Sequence, residues 1–478
     1  MSILNQSNAN SSLVNSLMDA TQSLSNPFSY SISKQLPFHG VQFIRHDPVN
    51  AASFGPSSSI DFQLTKFGFL RSAIFSWKTT PPTQDADKGE VPPSGTLNAI
   101  DRIELLSASR RLAVMDRHAL KAAFSDLPSE VRSNYLKGMH AMANSKQMPH
   151  TAAGATYDSH LFVPMSFFCN IKNSLALSFV EPVVLRVVMS DGGYAVTHIT
   201  TGSGSSATTA IDRGTMAVSN PELYCEYRVL DPESEDATIE ENYDSVLTQL
   251  SYDYHTEVEA SGTLAADKDL EMSVELKDPG VISAAYVIVS CDYQDVHTTV
   301  GSSPSVAAAN MIAAEQPLEL AEIGFKASGQ DIVPTMPAKI FELYGRRNLS
   351  QYHHAVGYGN TYQSRDDPIN LHNVYKIPFD LDSDNRYNSG GISLRELNAP
   401  TITVKVRMAN GSGTDGEGGA NEGQAPGGAT ENNSTALGGN KNPAALAGKK
   451  VKMRVVLKKH TLISTDPQNG RLVQSISN

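Results

Sequence analysis

The chain has 478 residues and a mass of 51.4 kDa, and 40% of it is apolar, which is enough for two or three domains with full-sized cores. Lys and Arg number 38 against 50 Asp and Glu, a net charge of -12, so bulk neutralisation of nucleic-acid phosphates is excluded as its main task. Charged residues make up only 18%, and Gly, Ser, Thr, Asn and Pro are plentiful, which points to many short strands joined by turns and hence to an all-β chain.

Residues 1–28 are rich in Asn and Ser, with Leu13, Leu17, Met18 and Leu24 spaced for a short amphipathic helix that is marginal alone; they read as an N-terminal arm. From about residue 57 the pattern has period two. Ile60, Phe62 and Leu64 alternate with Asp61, Gln63 and Thr65, which places the apolar set on one face of a strand. A second strand is expected at 69–77, ending in the single tryptophan, Trp77. After the turn-rich stretch Pro81 to Pro93 comes a third, in which Ile103 and Leu105 alternate with Arg102 and Glu104. A helix is expected next, capped by Asp126, with Glu130 in its first turn and Val131, Tyr135 and Met139 at four-residue spacing. Strands follow at Leu161–Cys169, Leu175–Phe179 and Val183–Met189, and the Gly- and Thr-rich 190–220 reads as a long surface loop. Leu223, Cys225, Tyr227 and Val229 form one face of a further strand. The acidic segment Asp231 to Asp244 reads as a link through a short helix.

The second half opens with another alternation, Met272, Val274 and Leu276 against Glu271, Ser273, Glu275 and Lys277, followed by a near-continuous apolar run, Val281 to Cys291, expected as a more buried strand. The halves repeat each other at a spacing of about 220 residues. Ile103, Leu105 and Leu112 correspond to Ile323, Phe325 and Ile332, each set straddling a small hairpin, Ser107-Ala108-Ser109 and Ala327-Ser328-Gly329. Each hairpin leads toward a helical segment, the second at Pro337 to Arg346. Val163-Pro164 matches Ile377-Pro378, and Glu181-Pro182-Val183-Val184-Leu185 matches Ala399-Pro400-Thr401-Ile402-Thr403. Residues 409–448 hold eleven of the 34 glycines and almost no large apolar side chain, so burial cannot offset their ordering entropy. Strands at Thr401–Met408 and Val451–Leu457 flank this stretch, which makes it a flexible loop inserted in a sheet.

Chemistry-bearing motifs are scarce. Cys169, Cys225 and Cys291 cannot form a complete disulfide framework and read as small buried hydrophobes. No stretch approaches the roughly 20 apolar residues of a membrane helix, and the opening MSILNQSNANSS lacks the basic-then-apolar order of a signal peptide, so cytosolic synthesis is expected. Asn348-Leu349-Ser350 and Asn433-Ser434-Thr435 are chance-level glycosylation matches. His353-His354 is adjacent rather than alternating, which suits a solvated pair rather than a metal site. Asp380, Asp382 and Asp384 alternate on one face, but the glycine and closing glutamate of a calcium loop are missing, and a solvated turn is the preferred reading. Phosphate loops, serine-hydrolase elbows and zinc ribbons have no sequence support. No catalytic, cofactor-binding or metal-ligating residue is assigned, and neither enzyme activity nor a cofactor is expected. One basic cluster, Lys449, Lys450, Lys452, Arg454, Lys458, Lys459 and Arg471, lies on the last strand and its tail, where it either faces an anionic interior, genome or membrane, or forms a polar outer strand face.

Four segments carry a family resemblance: NAIDRIELLSASRRLAVMDRH from Asn98, DSHLFVPMSFFCNIKNSLALSFVEPVVLRVVM from Asp158, NPELYCEYRVLD from Asn220, and VYKIPFDLDSDNRYNSGGISLRELNAPTITVKV from Val374. Their order resembles the double jelly-roll major capsid proteins of large double-stranded DNA viruses, the group of nucleocytoplasmic large DNA viruses, virophages and polinton-like viruses. Within it Val163-Pro164-Met165-Ser166-Phe167-Phe168 and Leu175-Ala176-Leu177-Ser178 stand in the family's Pro-Leu-Pro-Phe-type and Leu-Ala-Leu-Pro-type places, and Asn388-Ser389-Gly390 with Ser393 and Arg395 stands in its Pro-Ser-Gly-type turn. Ser178 replaces a proline and Pro232-Glu233-Ser234-Glu235 replaces a Glu-Arg pair. The resemblance spans about residues 57–470.

It implies two tandem eight-stranded antiparallel jelly-roll barrels with inserted short helices and long loops: an arm at 1–28, a first barrel at 29–231, a linker with a short helix at 232–251, and a second barrel at 252–478 carrying the 409–448 loop. The implied function is that of a major capsid protein, which self-assembles into pseudo-hexameric homotrimers that form the icosahedral shell of the virion inside the host cell. Implied partners are neighbouring capsomers, minor or cement and penton proteins, and an inner membrane or genome on the inner face, with no small-molecule substrate. The alternative is a jelly-roll viral surface protein that binds glycans or a receptor through an aromatic platform, for which Tyr352, Tyr358 and Tyr362 are the candidates.

Overall fold

The computed structural model describes residues 39–476 apart from 51–56, 81–87, 92–94, 109, 127–137, 140–145, 148–156, 165–174, 191–197, 202–207, 211–216, 231–247, 279, 292–315, 319, 339, 342–373, 381–389, 409–446 and 467–469. The first half contributes eight principal strands: β1 (His39–His46), β2 (Ser59–Gln63), β3 (Phe69–Thr80), β4 (Ile100–Ser107), β5 (Arg110–Asp116), β6 (Tyr157–Val163), β7 (Val183–Met189) and β8 (Ala217–Leu230). The second contributes β9 (Thr248–Thr263), β10 (Leu270–Glu275), β11 (Val281–Cys291), β12 (Leu320–Ala327), β13 (Gln330–Pro337), β14 (Val374–Pro378), β15 (Thr401–Val406) and β16 (Lys450–Thr465).

Pairing orders are the same in the two halves. One sheet of the first half runs β1-β8-β3-β6 and the other β2-β7-β4-β5; their counterparts are β9-β16-β11-β14 and β10-β15-β12-β13, all antiparallel. In strand order each half is therefore first-eighth-third-sixth packed on second-seventh-fourth-fifth. This is the jelly roll, present twice. The short strands Leu175–Ala176 and Ile392–Ser393 extend matching edges, pairing with β3 and β11.

Alternating sequence positions build each sandwich interior. Ile60, Phe62, Phe75, Trp77, Ile103, Leu105, Leu223 and Cys225 are buried in the first core, with Phe75 stacked on Trp77 at 4.9 Å between centroids. Met272, Val274, Ile323, Phe325, Ile402 and Val404 from one sheet, with Val287, Val289, Met453 and Val455 from the other, fill the second. The hairpins that carry the repeat turn through left-handed backbone, Ala108 at φ 43° and Ser328 and Gly329 at φ 53° and 75°.

Three local expectations change. The described helix is α1 (Arg117–Ser125): Asp116 caps it by accepting from the Ala119 N–H at 2.7 Å, and Asp126, expected as the N-cap of a later helix, instead closes the C-terminus of α1. The expected turns at Val131, Tyr135 and beyond lie outside the described residues up to Gly138. The strand expected over Leu175–Phe179 stops at Ala176, where the Phe179 N–H turns back to the Ala176 carbonyl ahead of Pro182, which has no N–H to extend a ladder. Third, 190–220 is not only loop. His198–Thr201 and Thr208–Ala210 form a strand pair joined to Lys88–Val91 and Lys146–Gln147 in a small separate sheet, as the β-branched residues Ile199, Thr200, Thr201, Thr208 and Thr209 favour. The arm expected at 1–28 lies outside the described residues, as do 232–247 of the linker expected at 232–251 and 409–446 of the loop expected at 409–448; the last linker residues, 248–251, are instead the start of β9, whose polar and apolar residues pair with β16.

Candidate functional site at the seam between the barrels

The run Val281 to Cys291 is apolar on both faces because both faces are covered. Ala285, Val287 and Val289 point into the second core, whereas Ala284, Tyr286 and Ile288 point outward and join the first half's core cluster, together with Tyr254, Val456 and Ile463. The outer face of the β9-β16-β11-β14 sheet is thus packed against the first half. What covers it is α1 with β5, the helix lying against β9, β16 and β14. Arg117, His118 and Lys121 are buried along with Leu120 and Phe124, so the helix shows no solvent stripe.

At the end of α1, Asp126 enters this face. Its carboxylate accepts hydrogen bonds from Lys376 Nζ at 2.8 Å, Lys458 Nζ at 3.0 Å, Tyr254 Oη at 2.8 Å and Tyr286 Oη. The two ammoniums also sit over aromatic rings, Lys376 5.5 Å from the Tyr286 centroid and Lys458 5.6 Å from that of Tyr254. Burial alone would raise the Asp126 pKa, but the two ammoniums and the hydrogen bonds outweigh it and hold the carboxyl well below the usual range. Burial, reinforced by Asp126, pushes the Tyr286 phenol up, so it stays a donor. Burial and the repulsion of Lys376 pull the Lys458 ammonium down against the attraction of Asp126. Such a group can bind two bodies in one orientation; it offers no open position for a substrate.

The seam continues at the C-terminus. Leu472–Ile476 pairs with β16 and packs against β5, and the Gly470 carbonyl accepts from the Glu181 N–H at 2.8 Å. Glu181 in turn accepts from Arg110 at 2.8 Å and from the Ser107 hydroxyl.

The basic cluster is not one surface. Arg454, Lys458 and Lys459 are buried, Lys458 in the seam and Lys459 against Asp278 at 2.6 Å, while Lys450 and Arg471 are exposed. Neighbouring strand positions point to opposite faces, so a run of lysines in sequence is divided by the pleat. Cys225 lies in the first core, where burial pushes its thiol up to about 12. His353-His354, Asp382, Asp384 and the tyrosines Tyr352, Tyr358 and Tyr362 lie outside the described residues. Among the described residues, no three His, Cys, Asp or Glu side chains gather closely enough to hold a metal ion, and no helix is long and apolar enough to cross a membrane. Sequence reasoning missed Asp126, Tyr254, Tyr286 and Lys376 as a group, and the outward apolar face of 281–291 was the one signal of a covering body.

Two jelly rolls of one pairing order, packed face to edge within one chain, define the double jelly-roll class. Solved structures of this architecture match over nearly the whole chain. The PBCV-1 Vp54 structure fitted into a reconstruction of the virophage Sputnik is similar with a TM-score of 0.60 at 11% identity, covering 95% of this chain and 100% of that one. The Faustovirus major capsid protein gives 0.53 at 11%, covering 94% and 96%, and the mavirus major capsid protein 0.52 at 11%, covering 95% and 94%. No protein-family model and no curated protein sequence matches. The likeness is therefore one of fold.

Proposed function

We propose that this chain is a major capsid protein, the structural subunit of a virion shell, assembled from pseudo-hexameric homotrimers. The observation that carries the reading is the pair of barrels with identical pairing order, locked at one orientation by a buried seam, in a fold shared end to end with capsid proteins of large double-stranded DNA viruses and virophages. Three such blocks place six similar barrels around one axis, and six-fold outlines tile a shell. On this reading the first barrel corresponds to 29–231, the linker to 232–247 and the second barrel to 248–478, which opens with β9, and 1–28 is an arm. The connections between seventh and eighth strands, 190–216 and 407–449, lie at the outer face, where extra length costs little. Neighbouring capsomers, cement and penton proteins are the partners, with membrane or genome beneath. Expression of the full chain and mass measurement by light scattering test it: a species of three chains that forms hexagonal lattices in negative stain is expected, and a stable monomer overturns the trimer. A monomer that binds glycans would favour the surface-protein reading.

A further inference from the structure

The two halves differ at one sheet edge. In the first, β2 ends its sheet, and the connection 47–58 closes it. The Val49 N–H donates to the Asp61 carbonyl at 2.8 Å, Asn50 Oδ1 accepts from the Asp61 N–H at 3.0 Å, and Asn50 Nδ2 donates to the Ser59 carbonyl at 2.6 Å. The counterpart of β2 is β10. Arg186 pairs with Asp61 one position beyond the Leu185–Leu105 pair, and Thr403 pairs with Ser273 one position beyond the Ile402–Phe325 pair, so Ser273 stands where Asp61 stands. Here the connection 264–269 is half as long, and it is tied away from β10, because Leu264 exchanges backbone hydrogen bonds with Gly448 and Lys449. Among the described residues nothing takes the place of Val49 and Asn50, so the outward N–H and carbonyl groups of Glu271, Ser273 and Glu275 meet no other strand.

An open edge of period two is completed by an extended strand of period two. The chain holds such a stretch ahead of β1, outside the described residues. Between Pro27 and Pro37 runs Phe28-Ser29-Tyr30-Ser31-Ile32-Ser33-Lys34, large apolar residues alternating with serines, bounded by prolines that cannot extend a ladder. On β10, Met272 and Val274 are buried while Glu271, Ser273 and Glu275 are exposed. A strand added there would continue the buried row with Phe28, Tyr30 and Ile32 and the exposed row with its serines. The one charge of the stretch, Lys34, is opposite in sign to Glu271 and Glu275.

The β10 edge of the same chain is out of reach. The first barrel enters the seam through β5, whereas β2, with β1 leading into it, ends the sheet three strands away; β10 belongs to the sheet on the far side of the second barrel from the seam. Strands about 4.8 Å apart, a helix about 10 Å wide and sheets about 10 Å apart put that path above roughly 30 Å. From Lys34 to His39 the chain spans at most about 18 Å. We infer that residues 28–34 of one copy add as a strand to β10 of a second copy, tying neighbouring subunits through main-chain hydrogen bonds. The inference rests on the capsid reading in requiring copies side by side.

The test uses the full chain and reads amide exchange by mass spectrometry before and after assembly. Exchange over 28–34 and 270–275 should slow at least tenfold in the assembled protein. Ser273→Pro removes the outward N–H at the centre of the edge and no bond to β15, so its circular dichroism spectrum should be unchanged while 28–34 returns to fast exchange. Chains with Ser31→Cys are also co-assembled with chains carrying Glu271→Cys, Ser273→Cys or Glu275→Cys and then oxidised, which covers a register shift of two residues either way. A disulfide joining different chains at one of these positions is expected, and it decides the matter even if Ser273→Pro fails to fold. Free exchange of 28–34 in assembled wild type, or no disulfide at any of the three positions, overturns the strand exchange and leaves the capsid reading standing. A double variant linked within a single chain overturns it too, by placing the strand on its own β10. A wild type that stays monomeric overturns the capsid reading and the exchange with it.

Discussion

The Asp126 carboxylate lies 3.0 Å from the Lys458 ammonium, a residue 332 positions further along the chain, and both side chains are 1% exposed. One comes from the end of a helix in the first barrel and the other from β16 of the second, so the bond holds only in the docked arrangement. Removing one member of a buried, hydrogen-bonded ion pair leaves the other charge uncompensated, a loss of about 3–5 kcal/mol. Asp126→Asn should therefore lower unfolding free energy by that order in urea titration, because two ammoniums lose the carboxylate they share. Lys376→Met should cost distinctly less, since Asp126 keeps Lys458, Tyr254 and Tyr286. Equal effects would mean the carboxylate is not the centre of the lock.

Acid should weaken the fold in two stages. Burial lowers the pKa of His46, which bonds Tyr227 at 2.9 Å, and that of His460, which bonds the Gly390 carbonyl at 3.0 Å. A histidine whose folded pKa lies below its unfolded value takes up a proton more readily when unfolded, so its contribution is complete above about pH 6.5 and is lost as pH falls toward the folded value. Asp126 is depressed by its ammoniums and adds a second loss as pH falls below about 4, the ordinary carboxylate value. Melting temperatures across pH 3 to 8 should show both slopes. His46→Gln with His460→Gln should flatten the upper one and leave the lower, and a wild-type profile flat between pH 7 and 5 would refute the histidine assignment.

Leu105 and Phe325 occupy equivalent positions on β4 and β12 and are 1% and 0% exposed. A carboxylate at either position would be buried with no cation to pair with it. Leu105→Asp and Phe325→Asp should each abolish soluble protein, as measured by the soluble fraction after expression, whereas Asp at exposed Gln63 should leave yield unchanged.

Gly470 sits at φ +68°, and a Cβ there would stand 2.6 Å from the Phe179 carbonyl oxygen. Gly470→Ala combines left-handed strain of about 1–2 kcal/mol with displacement of the carbonyl that receives the Glu181 N–H. The C-terminal strand should loosen from the first barrel. Faster amide exchange over Leu472–Ile476, with β2 and β10 unchanged, is the expected readout.

The sandwich interiors were legible because one face of a strand is buried and the other wet, so Ile60-Phe62-Leu64 and Leu223-Cys225-Tyr227 show period two. The duplication was legible because its hairpins need the same left-handed turn at Ala108 and Ser328. The seam was not. α1 is covered on all sides, which erases the stripe that marks a surface helix, whereas the residues after it carry a four-residue spacing that mimics one. Asp126 meets partners 250 and 332 positions away, a separation that no local pattern encodes. Lys458 and Lys459 read as one basic patch, yet the pleat sends one to Asp126 and the other to Asp278.

The ends of the Gly-rich insertion stand close to one another, which makes its removal a sharp test of where it belongs. The Met408 N–H is bound to Asp269 at 2.9 Å, and Gly448 and Lys449 exchange backbone hydrogen bonds with Leu264, so both ends are held at the turn between β9 and β10. A short Gly-Ser bridge can therefore replace 409–446 without moving β15 or β16, and loop closure grows only slowly with length. The shortened chain should melt within a few degrees of the full chain and give the same oligomer mass. A deletion that folds but stays monomeric would move these residues from the outer face into a subunit contact, and a deletion that fails to fold would make them part of the second barrel's core.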